Sequence, residues 1–366
     1  KSSRNQVISM KLIESDIVVI GGGLTGLTLA YLLKDNNKRV HIIEARKRLG
    51  GRILTSYKEN SAPIEMGATW LGSKHTQLKA LLKVLQIDIF QQVLGDKAIY
   101  EPISTSPYQL VTLPPNNEPS FRIKGGSATL IQRLANAISS EQIHLQQTVT
   151  SILEDKEELQ VVTDQKIFKA PIVVSTLPPN LLLSRLRIQP ALPTELTTIM
   201  KQTHTWMGES IKVGLRFSTP FWRKANSSGT VFSNVGPIPE LYDHSDYDDE
   251  YYALKGFLNG AYFSLNKDER LNLILMQLRK YYGKEIEQFV DYEEAVWRRE
   301  EHTFAPYDTH ILPHQHNGHR LYQKPYLAGK LFIAGAETAT QFPGYMEGAI
   351  RSAQSVYQQI GVTAES

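Results

Sequence analysis

The longest apolar run of the chain, Ile17 to Leu33, carries two patterns in succession. Asp16-Ile17-Val18-Val19-Ile20 is a β-branched stretch without alternation, as expected of a strand buried on both faces, and Leu24 to Lys34 continues as a helix packed on it. Asn36-Asn37 ends that helix, and Arg39-Val40-His41-Ile42-Ile43-Glu44 repeats the strand pattern. Residues 16–44 therefore predict a strand, helix, strand unit of about 30 residues, the building block of a doubly wound α/β domain with a parallel sheet. As a whole the run is 17 residues long and includes four glycines and two threonines, against the about 20 apolar residues of a membrane span, so no membrane anchor is expected.

Beyond Arg52 the periodicity predicts a helix near Thr76 to Leu85, a Pro-rich loop over 102–119 and a helix over Ser127 to Ser139. Strands are expected at Ile143 to Ile152, Leu159 to Asp164 and Ile172 to Thr176, the last closed by Leu177-Pro178-Pro179. Further strands follow at Ile211 to Phe217 and Tyr251 to Leu258, with a strong helix at Lys267 to Tyr282. A last strand, Lys330 to Gly335, precedes a C-terminal helix from about Gly344 to Ile360. No internal repeat or low-complexity tract is present.

Composition narrows the chemistry. With 40 Lys+Arg against 37 Asp+Glu, the net charge near +3 is too small to attract a polyanion, and no nucleic-acid partner is expected. The absence of cysteine excludes disulfides, thiolate nucleophiles, iron–sulfur clusters and Cys-ligated zinc. Residues 1–16 are polar and mixed in charge, without the apolar stretch of a signal peptide, so a soluble, cytoplasmic protein is expected.

Gly21-x-Gly23-x-x-Gly26 follows a strand and opens a helix, with an acid, Glu44, ending the next strand. Glycines at this spacing allow a tight turn, a close backbone approach to a pyrophosphate and close packing of helix on strand, and the helix N-terminus favours the phosphate charge. The simpler alternative is a glycine-rich turn with no ligand. Next, Glu44-Ala45-Arg46-Lys47-Arg48-Leu49-Gly50-Gly51-Arg52 brings four cations and a glycine pair suited to the far side of a diphosphate.

That run, together with Gly67-Ala68-Thr69-Trp70, Ala334-Gly335-Ala336-Glu337-Thr338-Ala339-Thr340 and Gly344-Tyr345-Met346-Glu347-Gly348-Ala349, resembles the flavin-containing amine oxidases, and the tail looks most like the monoamine oxidase branch. The resemblance covers nearly the whole chain. It implies a Rossmann-like FAD-binding domain, α/β with a doubly wound parallel sheet, assembled from 1–72, 121–178 and 328–366. An interleaved α+β substrate-binding domain would take 73–120 and 179–327. Position by position it implies Gly21, Gly23 and Gly26 on the pyrophosphate, Glu44 on the ribose, and Arg46, Gly51 and Arg52 near the phosphates. Gly67, Ala68, Thr69, Trp297 and Gly335 would border the cofactor, and Val149 would meet the adenine through its backbone. Glu337 would lie beside the ribityl and diphosphate, and the Met346 amide at a helix start would face the flavin pyrimidine.

Lys212, a lone cation in the apolar strand Ser210-Ile211-Lys212-Val213-Gly214-Leu215, reads by itself equally well as an edge-strand lysine whose amine reaches solvent. The resemblance, with Pro220-Phe221-Trp222-Arg223-Lys224 following, implies instead that it holds a water against flavin N5 and assists reoxidation. It also places Tyr307 and Tyr345 as facing walls that sandwich the amine, Tyr345 bordering the flavin as well, with Trp70 beside them. Relatives that hold FAD covalently carry cysteine immediately before the first tyrosine. Here that position is Pro306, so FAD is expected to be non-covalent.

The implied reaction is oxidation of a primary or secondary amine: hydride transfer from the α-carbon to the flavin, imine hydrolysis to an aldehyde, and reduction of oxygen to peroxide. Two alternatives stay open, an L-amino acid oxidase or related desaturase and a flavin-bound scaffold without turnover. The former needs an arginine clamp, for which Arg122, Arg216 and Arg223 are unassigned candidates. His302, His310, His314, His316 and His319 crowd one segment, and His314-x-His316-x-x-His319 could hold a metal in a loop, but no carboxylate accompanies that cluster locally and no metal site is assigned. The acidic stretch Glu240 to Tyr252 reads most simply as a solvated loop. Only 54 residues separate Trp70 from Gly125, where similar family members usually carry a longer helical insertion that roofs the substrate cavity. An open pocket is therefore expected, suited to bulky or macromolecule-attached amines unless a second subunit or another partner covers it.

Overall fold

The computed structural model describes residues 10–364; of the polar amino end, residues 1–9 lie outside the described residues. The chain forms two compact units, one of residues 1–51, 134–206 and 305–366, the other of 52–133 and 207–304.

The first unit contains a five-stranded sheet in the order Ile143–His144, Val40–Ile43, Ile17–Ile20, Ile172–Ser175, Leu331–Ile333. Every pairing in it is parallel, with Ile17 opposite both Val40 and Ile172. Central strands of such a sheet are covered on both faces, which is why Ile17–Ile20 is apolar without alternation and fully buried. The helix Leu24–Leu33 follows it directly, and Thr25 Oγ1 donates to the Ala349 carbonyl at 3.0 Å, tying it to the C-terminal helix Met346–Ala364. This is the α/β, parallel-sheet class that the sequence pattern predicts.

A second five-stranded sheet, Lys11–Glu14, Lys166–Ala170, Glu158–Thr163, Val149–Asp155, Arg187–Gln189, shares a core with the first through Val149, Ile152, Phe168 and Leu196. The expected strand Ile143 to Ile152 is in fact two, one in each sheet, because the chain leaves the parallel sheet after His144 and turns through Gln146 in a left-handed conformation. The strand Lys166–Ala170 escaped the sequence reading, since Lys166 and Lys169 lie three residues apart and break the period of two that marks a half-buried strand.

The second unit is built on a seven-stranded sheet in the order Asp291–Val296, Ile211–Phe217, Tyr252–Leu258, Glu240–Asp243, Ser227–Ser233, Lys97–Glu101, Gln109–Thr112. The helix Lys267–Tyr282 packs its Ile274 and Leu278 against this sheet's core and starts with a capping box between Asn266 and Glu269. Two expectations are corrected here. The Pro-rich segment 102–119 includes the strand Gln109–Thr112, hydrogen-bonded to Lys97–Glu101. The acidic stretch begins as a strand, Glu240–Asp243, whose last carboxylate is buried and accepts from Trp222 Nε1 and Arg223 Nε, both at 2.8 Å. Among the described residues no helix is long and apolar enough to cross a membrane.

Candidate active site

In the first unit the glycine turn packs tightly between strand and helix. A Cβ on Gly26 would lie 2.1 Å from the Gly21 carbonyl oxygen, so only glycine lets the helix sit this close to its strand. A Cβ on Gly23 would meet nothing nearer than Gly51 Cα at 3.8 Å, and Gly23 φ is −82°. The protein therefore does not itself require glycine at 23, where a methyl would make only ordinary contacts beside the helix N-terminus, a place whose N–H groups favour an anion. Glu44 is buried at the adjacent strand end; Gly22 N–H donates to its Oε2 and Arg46 N–H to its Oε1, both at 2.8 Å. Each oxygen retains a lone pair for a ribose hydroxyl. Gln147 N–H and Gln146 N–H bond the carbonyls of Glu44 and Arg46 at 3.0 Å, which brings the start of the Val149–Asp155 strand beside the cradle. Gly51 and Gly23 lie in contact, and Glu337 is fully buried, accepting from Trp206 N–H at 3.3 Å. Gly335 N–H donates to Ser352 Oγ at 3.0 Å, and Met346 opens the C-terminal helix. This donor and acceptor set fits a dinucleotide.

The two tyrosines belong to an aromatic cluster of the first unit. Tyr307 Oη accepts from Thr205 N–H at 2.8 Å, and its ring stacks on His204 with centroids 6.4 Å apart. His314 stacks on Trp206 at 3.9 Å and on Tyr345 at 6.1 Å. Trp206 also approaches Tyr345 at 5.7 Å. His204 and Trp206 were not singled out from sequence; they follow a helix end at Lys201 and carry no local signal of their own. The loop histidines thus divide: His314 packs within this cluster, and His316 and His319 meet edge to face at 5.7 Å.

The remaining assigned residues, Arg52, Gly67, Ala68, Thr69, Trp70, Lys212 and Trp297, lie in the second unit. Lys212 sits on Ile211–Phe217, which is paired on both sides, with Ala295 and Phe257 as its opposite residues. The edge-strand reading is therefore overturned: the side chain is buried, and its amine donates to the Gly67 carbonyl. Burial pushes the Lys212 amine down to about 8, against an opposing pull from the Glu65 carboxylate. Trp297 Nε1 donates to the Met66 carbonyl at 2.8 Å and Ala68 N–H to the Arg52 carbonyl at 3.0 Å, so the segment 66–69 is held along its length. Trp70 is half-buried, with Nε1 on Gln92 Oε1 at 3.0 Å. Beside it lies a residue missed in the sequence, Lys255, whose amine donates to Thr69 Oγ1 and stands 4.3 Å from the Trp70 ring centroid.

The candidate clamp arginines are otherwise engaged. Arg216 bonds Asp291 and the carbonyls of Ala62 and Ser56, and Arg223 bonds Asp243 and Asp249. Arg122 is buried, donates to the Ser245 carbonyl at 2.6 Å and lies over the Phe90 ring.

The profile of the family described as flavin containing amine oxidoreductase matches residues 24–101 and 104–360. Amine oxidase B (flavin-containing) of Canis lupus familiaris is 24% identical over 451 aligned positions, which take in 94% of this chain and 86% of that protein. The probable flavin-containing monoamine oxidase A of Dictyostelium discoideum is 25% identical over 453, or 94% and 97% of the two chains. Both alignments are longer than this chain, so these relatives carry segments it lacks. Among solved structures, putrescine oxidase bound to putrescine superposes with a TM-score of 0.84 at 22% identity over 96% of this chain and 100% of that one. Cyclohexylamine oxidase from Brevibacterium oxydans gives 0.84 at 20% identity over 96% of this chain and 100% of its own. These structures share the fold, and with the family profile spanning most of its residues the chain belongs to the flavin-containing amine oxidases, oxidoreductases that act on amines.

Proposed function

We propose that this protein is an FAD-dependent oxidase of primary or secondary amines, with FAD held non-covalently. The observation that carries the reading is Lys212, a lysine buried in an interior strand with its amine on the carbonyl of Gly67. An isolated buried ammonium is costly, and a fold keeps one where its charge or its protons are used. The cradle of Gly21, Gly23, Gly26, Glu44, Arg46 and Gly51, with Val149, Gly335, Glu337 and Met346, would hold the dinucleotide in the first unit. In the second unit, Arg52, Gly67, Ala68, Thr69 and Trp297 are the residues we assign to flavin binding. With Pro306 before Tyr307 and no cysteine in the chain, no thioether tether forms.

When bound, the flavin supplies the acceptor for the hydride leaving the amine α-carbon and passes the electrons to oxygen, leaving an imine that hydrolyses to aldehyde, and peroxide. The residues of this chain do the rest. Tyr307 and Tyr345 orient the amine through their ring faces, and Trp70 offers a ring face of its own as a substrate wall. Apolar surroundings favour the neutral amine, the form that reacts. Lys212, with a proton that leaves near pH 8, positions a water and supplies positive charge for oxygen reduction.

Anaerobic mixing with a panel of amines and amino acids, followed by flavin absorbance, tests the reading. Bleaching by amines and not by amino acids is expected. A flavin that no amine reduces refutes it.

A further inference from the structure

Register brings a second lysine to the same face as Lys212. Across the antiparallel pair Lys212 stands opposite Phe257 and Gly214 opposite Lys255, and directly opposed residues share a face. Gly214 has no side chain, so the two amines flank the Phe257 ring, at 5.3 Å and 5.7 Å from its centroid. Lys255 is 0% exposed, and its amine meets a hydroxyl and rings: Thr69 Oγ1, the Trp70 face and Phe257. A lysine placed this way costs folding energy that a methionine of the same length would not.

The charges around it are mostly of its own sign. Lys212 faces it from Ile211–Phe217 and Arg122 from Ser120–Ile123, and both press its proton off, as burial itself does. Glu65 opposes them; its Oε1 takes Thr55 Oγ1 and Ser127 N–H, while its Oε2 is buried without a hydrogen-bond partner. His244 accepts from Glu65 N–H at 3.2 Å and is kept neutral by burial and by these cations. Tyr242, opposite Lys255 on Glu240–Asp243, donates its hydroxyl to Glu240 at 2.9 Å, and burial together with that carboxylate pushes its pKa up, so it stays neutral.

We propose that Lys255 is a charge selector acting through Trp70: it covers one face of the indole, so a ligand on the other face is favoured when anionic or neutral and disfavoured when it carries a further cation. The favoured substrates are then monoamines whose remote end is neutral or bears a carboxylate, rather than diamines and polyamines. This rests on the proposed role of Trp70 as a substrate wall. A ring face attracts cations through its quadrupole, and a cation already on the far face opposes a second at a distance of one ring thickness. At an effective dielectric near 20 that repulsion amounts to about tenfold or more in affinity. The selection is coupled to protons, because an anion at Trp70 draws a proton onto Lys255 and a cation drives it off.

Titrating the flavin-loaded enzyme with benzoate and benzamidine, a matched anion and cation without an oxidisable amine carbon, reads the selector without turnover. In the wild type benzoate is expected to bind about tenfold more tightly than benzamidine, and the ratio grows as pH falls. Lys255→Met brings the ratio to near unity and removes its pH dependence. Lys255→Arg keeps the preference and loses the pH dependence, a rescue that mere space-filling does not give. Trp70→Leu, which removes the intervening ring, lowers benzoate affinity and provides a second variant should Lys255→Met fold poorly. Absence of benzoate binding, a preference for benzamidine, or a wild-type ratio retained in Lys255→Met overturns the proposal. Bleaching by pentylamine and putrescine is measured alongside. If neither reduces the flavin while the benzoate preference and its pH dependence hold, the amine-oxidase reading falls and the selector stands.

Discussion

Two glycines three residues apart offer a test that separates cofactor binding from folding. At Gly23 an added methyl meets the Gly51 Cα at 3.8 Å and the Gly50 carbonyl at 3.9 Å, ordinary contacts, in a backbone conformation that alanine adopts. Gly23→Ala weakens the helix N-cap by about 0.5–1 kcal/mol, while reduced freedom of the unfolded chain returns about 0.4–1 kcal/mol. The net is near zero, and the flavin-stripped protein should melt within about 2 °C of wild type. At Gly26 the same methyl falls 2.1 Å from the Gly21 oxygen, so helix and strand must part by about 1 Å, an overpacking cost of about 1–3 kcal/mol. Flavin affinity should behave differently. On the proposed cradle the Gly23 methyl stands where a pyrophosphate oxygen would receive helix N-terminal N–H groups, and losing one charge-assisted bond of about 1.5–3 kcal/mol would weaken FAD roughly 10- to 100-fold. Ultrafiltration of the flavin-loaded proteins gives the dissociation constant and differential scanning fluorimetry the melting temperature. If Gly23→Ala holds FAD within twofold of wild type, the space before that helix is not the pyrophosphate site and the cradle assignment is wrong.

Three further outcomes follow from the site. Acid precipitation should release all the flavin into the supernatant, and colour retained in the pellet would contradict the non-covalent assignment. Lys212→Met should slow reoxidation of the reduced flavin by oxygen; in the wild type that rate should fall as pH rises through about 8, because the depressed lysine is charged below this value and neutral above it, whereas the variant should be slow and flat in stopped-flow traces. The segment between Trp70 and Gly125 contains a single α-helix, Thr76–Val84, among short strands, so small arylalkylamines should show low kcat/KM and bulkier amines higher values in a peroxide assay. High efficiency on a small amine by a protein that elutes as a monomer would dismiss the open-pocket expectation.

Much of this was legible in the chain before any coordinates. The unalternated Ile17–Ile20, the glycine spacing after it and the acid closing Val40–Ile43 sit within 30 residues, where hydrophobic period, helix start and ligand chemistry are all local properties. The helix Lys267–Tyr282 and the strand Ile211–Phe217 were delimited to the residue for the same reason. Tertiary structure alone decided the partners. A period of two shows which residues of Ile211–Phe217 share a face, but whether Lys212 lies at an edge or inside depends on Asp291–Val296 closing its other side from about 80 residues downstream. Lys255 was invisible as a site residue because a lysine in Tyr252–Leu258 looks like any solvent-facing strand residue until register sets it opposite Gly214 and beside Trp70. Asp243 read as solvated for the same reason, its partners Trp222 and Arg223 lying on a separate segment. Local pattern follows from short-range sterics and solvation, whereas burial of a charge is settled by which distant strand docks against it, and that is a property of the packed sheet.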